Sequence, residues 1–518
     1  IMKTFKILFG LLVIFGFSGC MNNDFLERYP LGSPTAETVF KSYDNFKTYA
    51  WGLYETFPAL GYGETNTDNI SYNSTRGSGE TDWIRGIVVP PSKTDNTPWA
   101  QYSFIRRTNL MLDHIETSDM TETERNHWRS VGYFFRSYRY LTLLSAYGGV
   151  PWIDHVLADD ETDIIYGERD SRDVIANHIL EDLQYAEQNI NQDGDGANTI
   201  NRVVVQTLLS RFCLFEGTWR KYRNLENADK YLRISIDAAE KIINSGNFTV
   251  YSTGNIEDDY HALFNQQDYS NNKEAIFFAA YVTDKRMNNR PRTVRESYTG
   301  MTKDFVESFL CDDGKPIALS DRYKGDVKFT DEFENRDPRL KQCIYTPERP
   351  IAILADGSEE YENSPVFSNL SNTGYRLYKM YSPLAEDNEY IKCTLEDLIY
   401  RYGEVLLNYA EAKAELGECD QAVLDKTINK LRDRVGMKHL TTDVGFTDPN
   451  WPNWEVPISP LLNEIRRERR VELACEGLRW NDLCRWKAGK LLENIKTYLG
   501  PRDPATGEYR VVYPGMTR

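Results

Sequence analysis

The densest set of chemistry-bearing side chains lies near the C-terminus, in Glu464-Ile-Arg466-Arg467-Glu468-Arg469-Arg470-Val-Glu472-Leu-Ala-Cys475-Glu476-Gly477. Two chemistries fit it: an anion site, or Glu–Arg pairing along a helix woven with neighbouring helices. The signs alternate and nearly cancel, which favours pairing. Elsewhere no phosphate-binding G-x-x-x-x-G-K-[ST] or dinucleotide G-x-G-x-x-G occurs, nor a zinc-protease H-E-x-x-H or a nucleophile-elbow G-x-S-x-G. Asn191-Gln-Asp193-Gly-Asp195-Gly196 occupies positions one, three, five and six of a calcium loop. Its twelfth position is Arg202 instead of a bidentate Glu, so it reads as an inter-helix loop, with a structural calcium as the weaker alternative. Plentiful Asp and Glu do not by themselves mark a glycosidase pair. What stands out is 33 Tyr, 10 Trp and 23 Phe beside only 6 His. Such rings serve either as core or as wet recognition surfaces.

The elements that must position these residues are mainly helical. Thr121 and Glu124 form a capping box. Val131, Phe134, Phe135, Tyr138 and Leu141 then recur at helical spacing over 120–147, until Tyr147-Gly148-Gly149-Val150-Pro151 stops the helix. Further helices are expected at about 172–190, 201–216 and 226–245. Leu395, Leu398, Tyr402, Val405, Leu406, Tyr409 and Leu416 predict one long helix closed by Gly417, answered by Gln421–Val435. Another starts near Pro460, whose missing N–H costs nothing in a first turn. These helix–turn–helix pairs have tetratricopeptide-like lengths. Two regions, 58–103 and about 246–394, are loop-like, with short strands expected in runs such as Ala275–Val282. Long loops on a rigid frame are where function concentrates.

The formal net charge of −17 argues against nucleic acid and anionic lipid as partners. Lys3 and Lys6 precede an apolar run, Ile7–Phe17, too short to span a bilayer, that ends in Ser18-Gly19-Cys20. This order predicts a lipoprotein signal peptide over 1–19 and a lipid on Cys20, which would anchor the chain without a membrane-spanning helix. The other seven cysteines are far apart, cannot all pair with one another and contain no C-x-x-C. Cys213, Cys475 and Cys484 sit in helical patterns and read as buried apolar residues.

Glu468-Arg-Arg-Val-Glu-Leu-Ala-Cys-Glu-Gly-Leu-Arg-Trp-Asn-Asp-Leu-Cys-Arg-Trp486 resembles the C-terminal signature of the RagB/SusD family, the glycan-binding surface lipoproteins of Bacteroidetes outer membranes. Similar stretches occur at Arg129–Pro151, Ser210–Tyr222, Asp313–Pro316 and Asn23–Pro30, in the family's order. The resemblance implies a mainly α fold. Four tetratricopeptide-like helix pairs form a right-handed frame, beside a largely irregular, loop-rich ligand-binding half. The corresponding regions are 20–245, with loops and helix pairs one and two, and 246–518, with the irregular insertion and pairs three and four, in one composite unit. It also implies a non-enzymatic protein without a cofactor that captures oligosaccharides and passes them to a SusC-like TonB-dependent porin. Met21-Asn22-Asn23 delays the first acid after the lipidated Cys to Asp24, a departure from the acidic export signal of surface lipoproteins. Two alternatives differ in ligand or chemistry: a peptide-binding lipoprotein of the same import type, and a secreted helical glycosidase.

The recognisable motifs are framework and do not mark a sugar site. An aromatic ring covers the C–H face of a pyranose while Asn, Asp, Arg and Tyr hydroxyl pair with its rim. Removing roughly 100 Å² from water contributes about 2.5 kcal/mol, and association costs several kcal/mol, so a site needs a cluster of rings. The loop-borne candidates are Tyr72, Asn73 and Trp83 in the first region and Arg292 and Tyr298 in the second. Arg290, Tyr323 and Tyr375 rank behind them, and Trp99 and Tyr102 read as core. Lipidation carries its own test. Cys20→Ala should move the protein from the membrane fraction to the soluble one, and continued membrane attachment would refute the anchor.

Overall fold

The computed structural model describes residues 39–57, 67–72, 97–296, 299–365, 367 and 371–512. The first two helices lie outside those the sequence pattern predicts, the second beginning within the region 58–103 expected to be loop-like, and the next four follow the pattern. Helix α1 is Tyr43–Trp51 and α2 is Thr97–Asp113. Helix α3, Glu122–Tyr147, opens on the expected capping box, with the Thr121 hydroxyl accepting from the Glu124 N–H and the Glu124 carboxylate accepting from the Thr121 N–H. It ends at Gly148, whose φ of 73° suits a residue without a Cβ. Helix α4, Arg172–Asn189, starts on Ser171, and α5, Arg202–Lys221, starts on Asn201 and runs past Gly217. Gly217 lets Leu232 of α6, Ala228–Asn244, approach so closely that a Cβ would sit 2.9 Å from its side chain.

Farther along, the expected helix over 395–416 is only partly helical. Leu398 lies in a strand, β4 (Asp397–Arg401), and the helix α9 begins at Tyr402 and ends at Glu415. The strand pairs antiparallel with β2, Ala275–Ala279, with Phe278 opposite Leu398 and Ala275 opposite Arg401. A partner more than a hundred residues away decides that state, and a one-dimensional pattern cannot contain it. The expected helix over Gln421–Val435 is broken at Thr427 into α10, Gln421–Lys426, and α11, Ile428–Arg434. Helix α12, Pro460–Glu472, is capped by Ser459, and α13 spans Arg479–Arg485. Between the helical halves, α7 (Arg290–Arg295) and α8 (Lys303–Ser308) flank a short ladder of β1 (Ile70–Tyr72) with β3 (Thr299–Met301).

One apolar core joins the early helices to the late ones, with Phe134, Phe135, Phe212 and Leu232 packed in the same cluster as Val405, Leu406 and Leu431. A second lies under the irregular half, around Tyr260, Phe305, Tyr375 and Tyr378. Much of the aromatic surplus is therefore interior. Cys213 and Cys475 are buried as expected, whereas Cys484 is only half-buried, at the edge of α13.

The charged run proves structural, but its partners are rarely on its own helix. Glu472 accepts from Arg434 at 2.6 Å, from Arg401 at 2.9 Å and from Arg339 at 2.9 Å. Glu468 accepts from Arg339 at 2.6 Å and Arg432 at 2.8 Å. Arg469 donates to Asp482 and Asn408, Arg466 to Glu415 and the Tyr222 hydroxyl, and Arg470 to Asn69 and the Asp68 carbonyl. Within α12 only Arg467 reaches back, to Glu464. The helix thus ties together segments from residue 68 to residue 482.

Burial alone would raise the Glu472 carboxyl, but Arg434, Arg401 and Arg339 hold it well below the usual carboxylate range. Burial opposes ionisation of Glu411 too, yet Arg485, Arg469 and Arg466 bring it down to about 2. Burial pushes His127 down to about 4. In each case the folded state binds its proton less readily than the unfolded chain. The associated stability is full above the unfolded pKa and is lost as pH falls. Thermal melts should therefore lose stability first between pH 6.5 and about 4 through His127, and then between pH 4.5 and about 2 through Glu411. Glu472→Gln, which leaves three arginines undercompensated, should cost about 3–5 kcal/mol in denaturant unfolding at pH 7.

Candidate functional site

The sequence candidates separate into framework and surface. Arg290 is interior: it donates to the Phe264 carbonyl at 2.7 Å and the Glu396 carbonyl at 3.0 Å, and pairs with Asp397 at 3.1 Å. Two positions on, Arg292 points outward. Its side chain is 40% exposed, pairs with Glu296 at 3.1 Å and lies 5.6 Å from the ring centre of Tyr390. Tyr390, 66% exposed, was not legible as a candidate because it sits in an ordinary acidic loop. Tyr375 is fully buried and donates its hydroxyl to Glu332 at 2.6 Å, which removes it from consideration as a ligand contact. Tyr323 is half-buried beside the Arg336 guanidinium. Tyr102 has its expected core role, donating to the Pro151 carbonyl with its ring edge-on to Tyr140.

Tyr72 is the last residue of β1 and stands opposite Thr299 in the register. The ladder therefore brings the two loop-bearing stretches of chain together at one point. Asn73, Trp83, Tyr298 and the lipidation residue Cys20 lie outside the described residues.

A cavity of about 540 Å³ lies at the other end of β1, between α8, α12 and the loops at 448–454 and 490–496. Asp68, Trp451, Trp454 and Asn463 are among its walls. Its floor adjoins a small apolar cluster of Tyr222, Leu483, Trp486 and Ala488, against which Trp454 and Leu491 pack. Trp451 donates its indole N–H to Glu464 at 2.7 Å, and Trp454 to Asn463 at 2.6 Å. The Trp454 ring also lies over Arg466 and edge-on to Trp486. Nothing in the charged run announced this cavity. The available signal was Trp451-Pro-Asn-Trp454, two large rings in a segment with no helical stripe to bury them.

In the loop at 191–196, Asp195 accepts from the Tyr43 hydroxyl at 2.8 Å and pairs with Lys47 at 3.3 Å. Arg202 closes the same loop by donating to Gln192 and to the Ile190 carbonyl. Among the described residues no helix is long and apolar enough to cross a membrane.

With this geometry in view, the relatives fall into place. Residues 273–515 match the family model described as the SusD family, and residues 36–214 match one described as starch-binding associating with outer membrane. The chain belongs to the SusD/RagB family. It is 24% identical to SusD-like protein P2 of Formosa agariphila, over 94% of this chain and 92% of that one. A SusD-like protein of Bacteroides ovatus is 21% identical over 91% of this chain and 80% of its own. Among solved structures, a SusD-like carbohydrate binding protein from Bacteroides fragilis shares the fold with a TM-score of 0.70 at 21% identity, covering 92% of this chain and 94% of that one.

The division into framework and surface arginines can be measured. Arg292→Ala should leave stability within about 0.5 kcal/mol, because exposed pairs contribute little. Arg290→Ala should cost about 3 kcal/mol. Equal melting temperatures for the two variants would contradict the assignment.

Proposed function

We propose that this protein is a carbohydrate-binding lipoprotein of the outer membrane, anchored through Cys20 and facing the cell exterior. It captures oligosaccharides and delivers them to a SusC-like TonB-dependent porin. The observation behind this reading is the match of residues 36–214 to a model described as starch-binding associating with outer membrane, followed in the same chain by the SusD model over 273–515. The absence of a membrane-crossing helix among the described residues accords with attachment by lipid.

Capture rests on the surface at the Tyr72 end of the β1–β3 ladder. Tyr72, Asn73, Trp83, Arg292 and Tyr298 are the contacts this reading assigns from the sequence, and Tyr390, which lies beside Arg292, joins them. Rings cover the C–H faces of pyranoses, and the guanidinium and amide donate to hydroxyl oxygens. The role is binding without catalysis, since uptake requires the glycan to be released unchanged to the porin.

Isothermal titration against a glycan panel tests this. At least one neutral glycan should bind and remain uncleaved, and Trp83→Ala should weaken it strongly at unchanged melting temperature. Peptide binding with no sugar binding, or cleavage of the bound polysaccharide, would overturn the reading.

A further inference from the structure

We propose that the cavity walled by Trp451 and Trp454 is a second, internal binding site for a short neutral oligosaccharide, separate from the ladder-end surface. The proposal rests on the carbohydrate reading given above and assigns it an additional place. Asp68 lines the cavity and Tyr72, four residues on, ends β1, so the two places lie on one short stretch of chain.

Size comes first. About 540 Å³ falls within the range of small-ligand pockets and suits a few sugar rings, not a long chain. Charge comes next. Five acidic and six basic side chains line the cavity, so it is close to neutral. Its arginines are already committed: Arg466 to Glu415, Arg467 to Asp448, Arg470 to Asp304 and Arg479 to Asp68. An anionic ligand would have to compete with carboxylates already in place. A purely apolar ligand would strip water from the amides of Asn450 and Asn453 on the rim and from the carboxylates without replacing their hydrogen bonds.

A neutral polyol meets both conditions. Both indole N–H groups are engaged on α12, by Glu464 and Asn463, so what Trp451 and Trp454 offer the cavity is carbon. Carbon faces beside amides and paired carboxylates match a sugar, whose ring has C–H faces and a hydroxyl rim. The rings are also held before any ligand arrives, by those hydrogen bonds and by packing of Trp454 on Trp486 and of Trp451 on Phe446. Such preorganisation lowers the entropic cost of binding.

The test is isothermal titration of the detergent-solubilised full chain with maltotriose, cellotriose and mannotriose, alongside affinity electrophoresis in gels containing the parent polysaccharides. Wild type should bind at least one trisaccharide. Trp451→Ala should weaken that binding by about tenfold or more, and Trp451→Phe, which keeps a ring, should retain it within about threefold. Asn453→Ala, at an exposed position whose loss leaves the fold intact, should weaken binding about threefold. An unchanged affinity in both Trp451→Ala and Asn453→Ala overturns the internal site, as does wild type that binds none of the three trisaccharides. If retardation by polysaccharide persists in either case, the carbohydrate-binding reading stands and only the internal site falls. If wild type shows no retardation and no trisaccharide binding, both fall.

Discussion

A carboxylate withdrawn from water is tolerable only where fixed positive charge replaces its hydration. Along α12 that condition is met repeatedly, and almost always by residues distant in sequence. Glu472 is held by arginines from residues 339, 401 and 434, and Arg470 and Arg479 both hold residues of the segment at 68–69. Each pair is safe while its partners stay in place, and removing one partner strands a charge in the interior. The lattice therefore acts as a geometric lock. It fixes the irregular half against the helical half more strictly than apolar packing could, because apolar contacts tolerate sliding and bidentate guanidinium–carboxylate contacts do not.

That lock explains how a largely irregular half can present a defined surface. The segment at 67–72 has no long element of its own, yet Asp68 and Asn69 are clamped by Arg479 and Arg470, and the strand that follows pairs with Thr299–Met301. Asp68, just before this strand, lines the tryptophan-walled cavity, and the strand ends at Tyr72 opposite Thr299. Recognition residues can vary on such a frame without disturbing it. Arg290 and Arg292 illustrate the division: two residues apart on one short helix, one closes backbone carbonyls in the interior and the other faces solvent.

Sequence pattern succeeded where structure is local. The capping box at Thr121, the stop at Gly148 and the start at Pro460 all depend on residues close in the chain, and they stand where expected. It failed at Leu398, whose strand state depends on Phe278, and at Thr427, where the helix breaks. Tyr375 looked like a loop ring because its neighbours are polar. In the structure those polar neighbours are buried with it, and its hydroxyl meets Glu332 inside the second core.

By itself, then, the sequence determined the helical frame, the family and the nature of the charged run, because periodicity, caps and a long collinear motif are properties of neighbouring residues. Only the tertiary structure decided which charges pair, which rings are interior and where a cavity opens. Burial and hydrogen-bond partnership arise between segments hundreds of residues apart. The run at 464–476 shows both halves of this: its alternating signs announced pairing, and the partners that neutralise it were set by how the chain returns on itself.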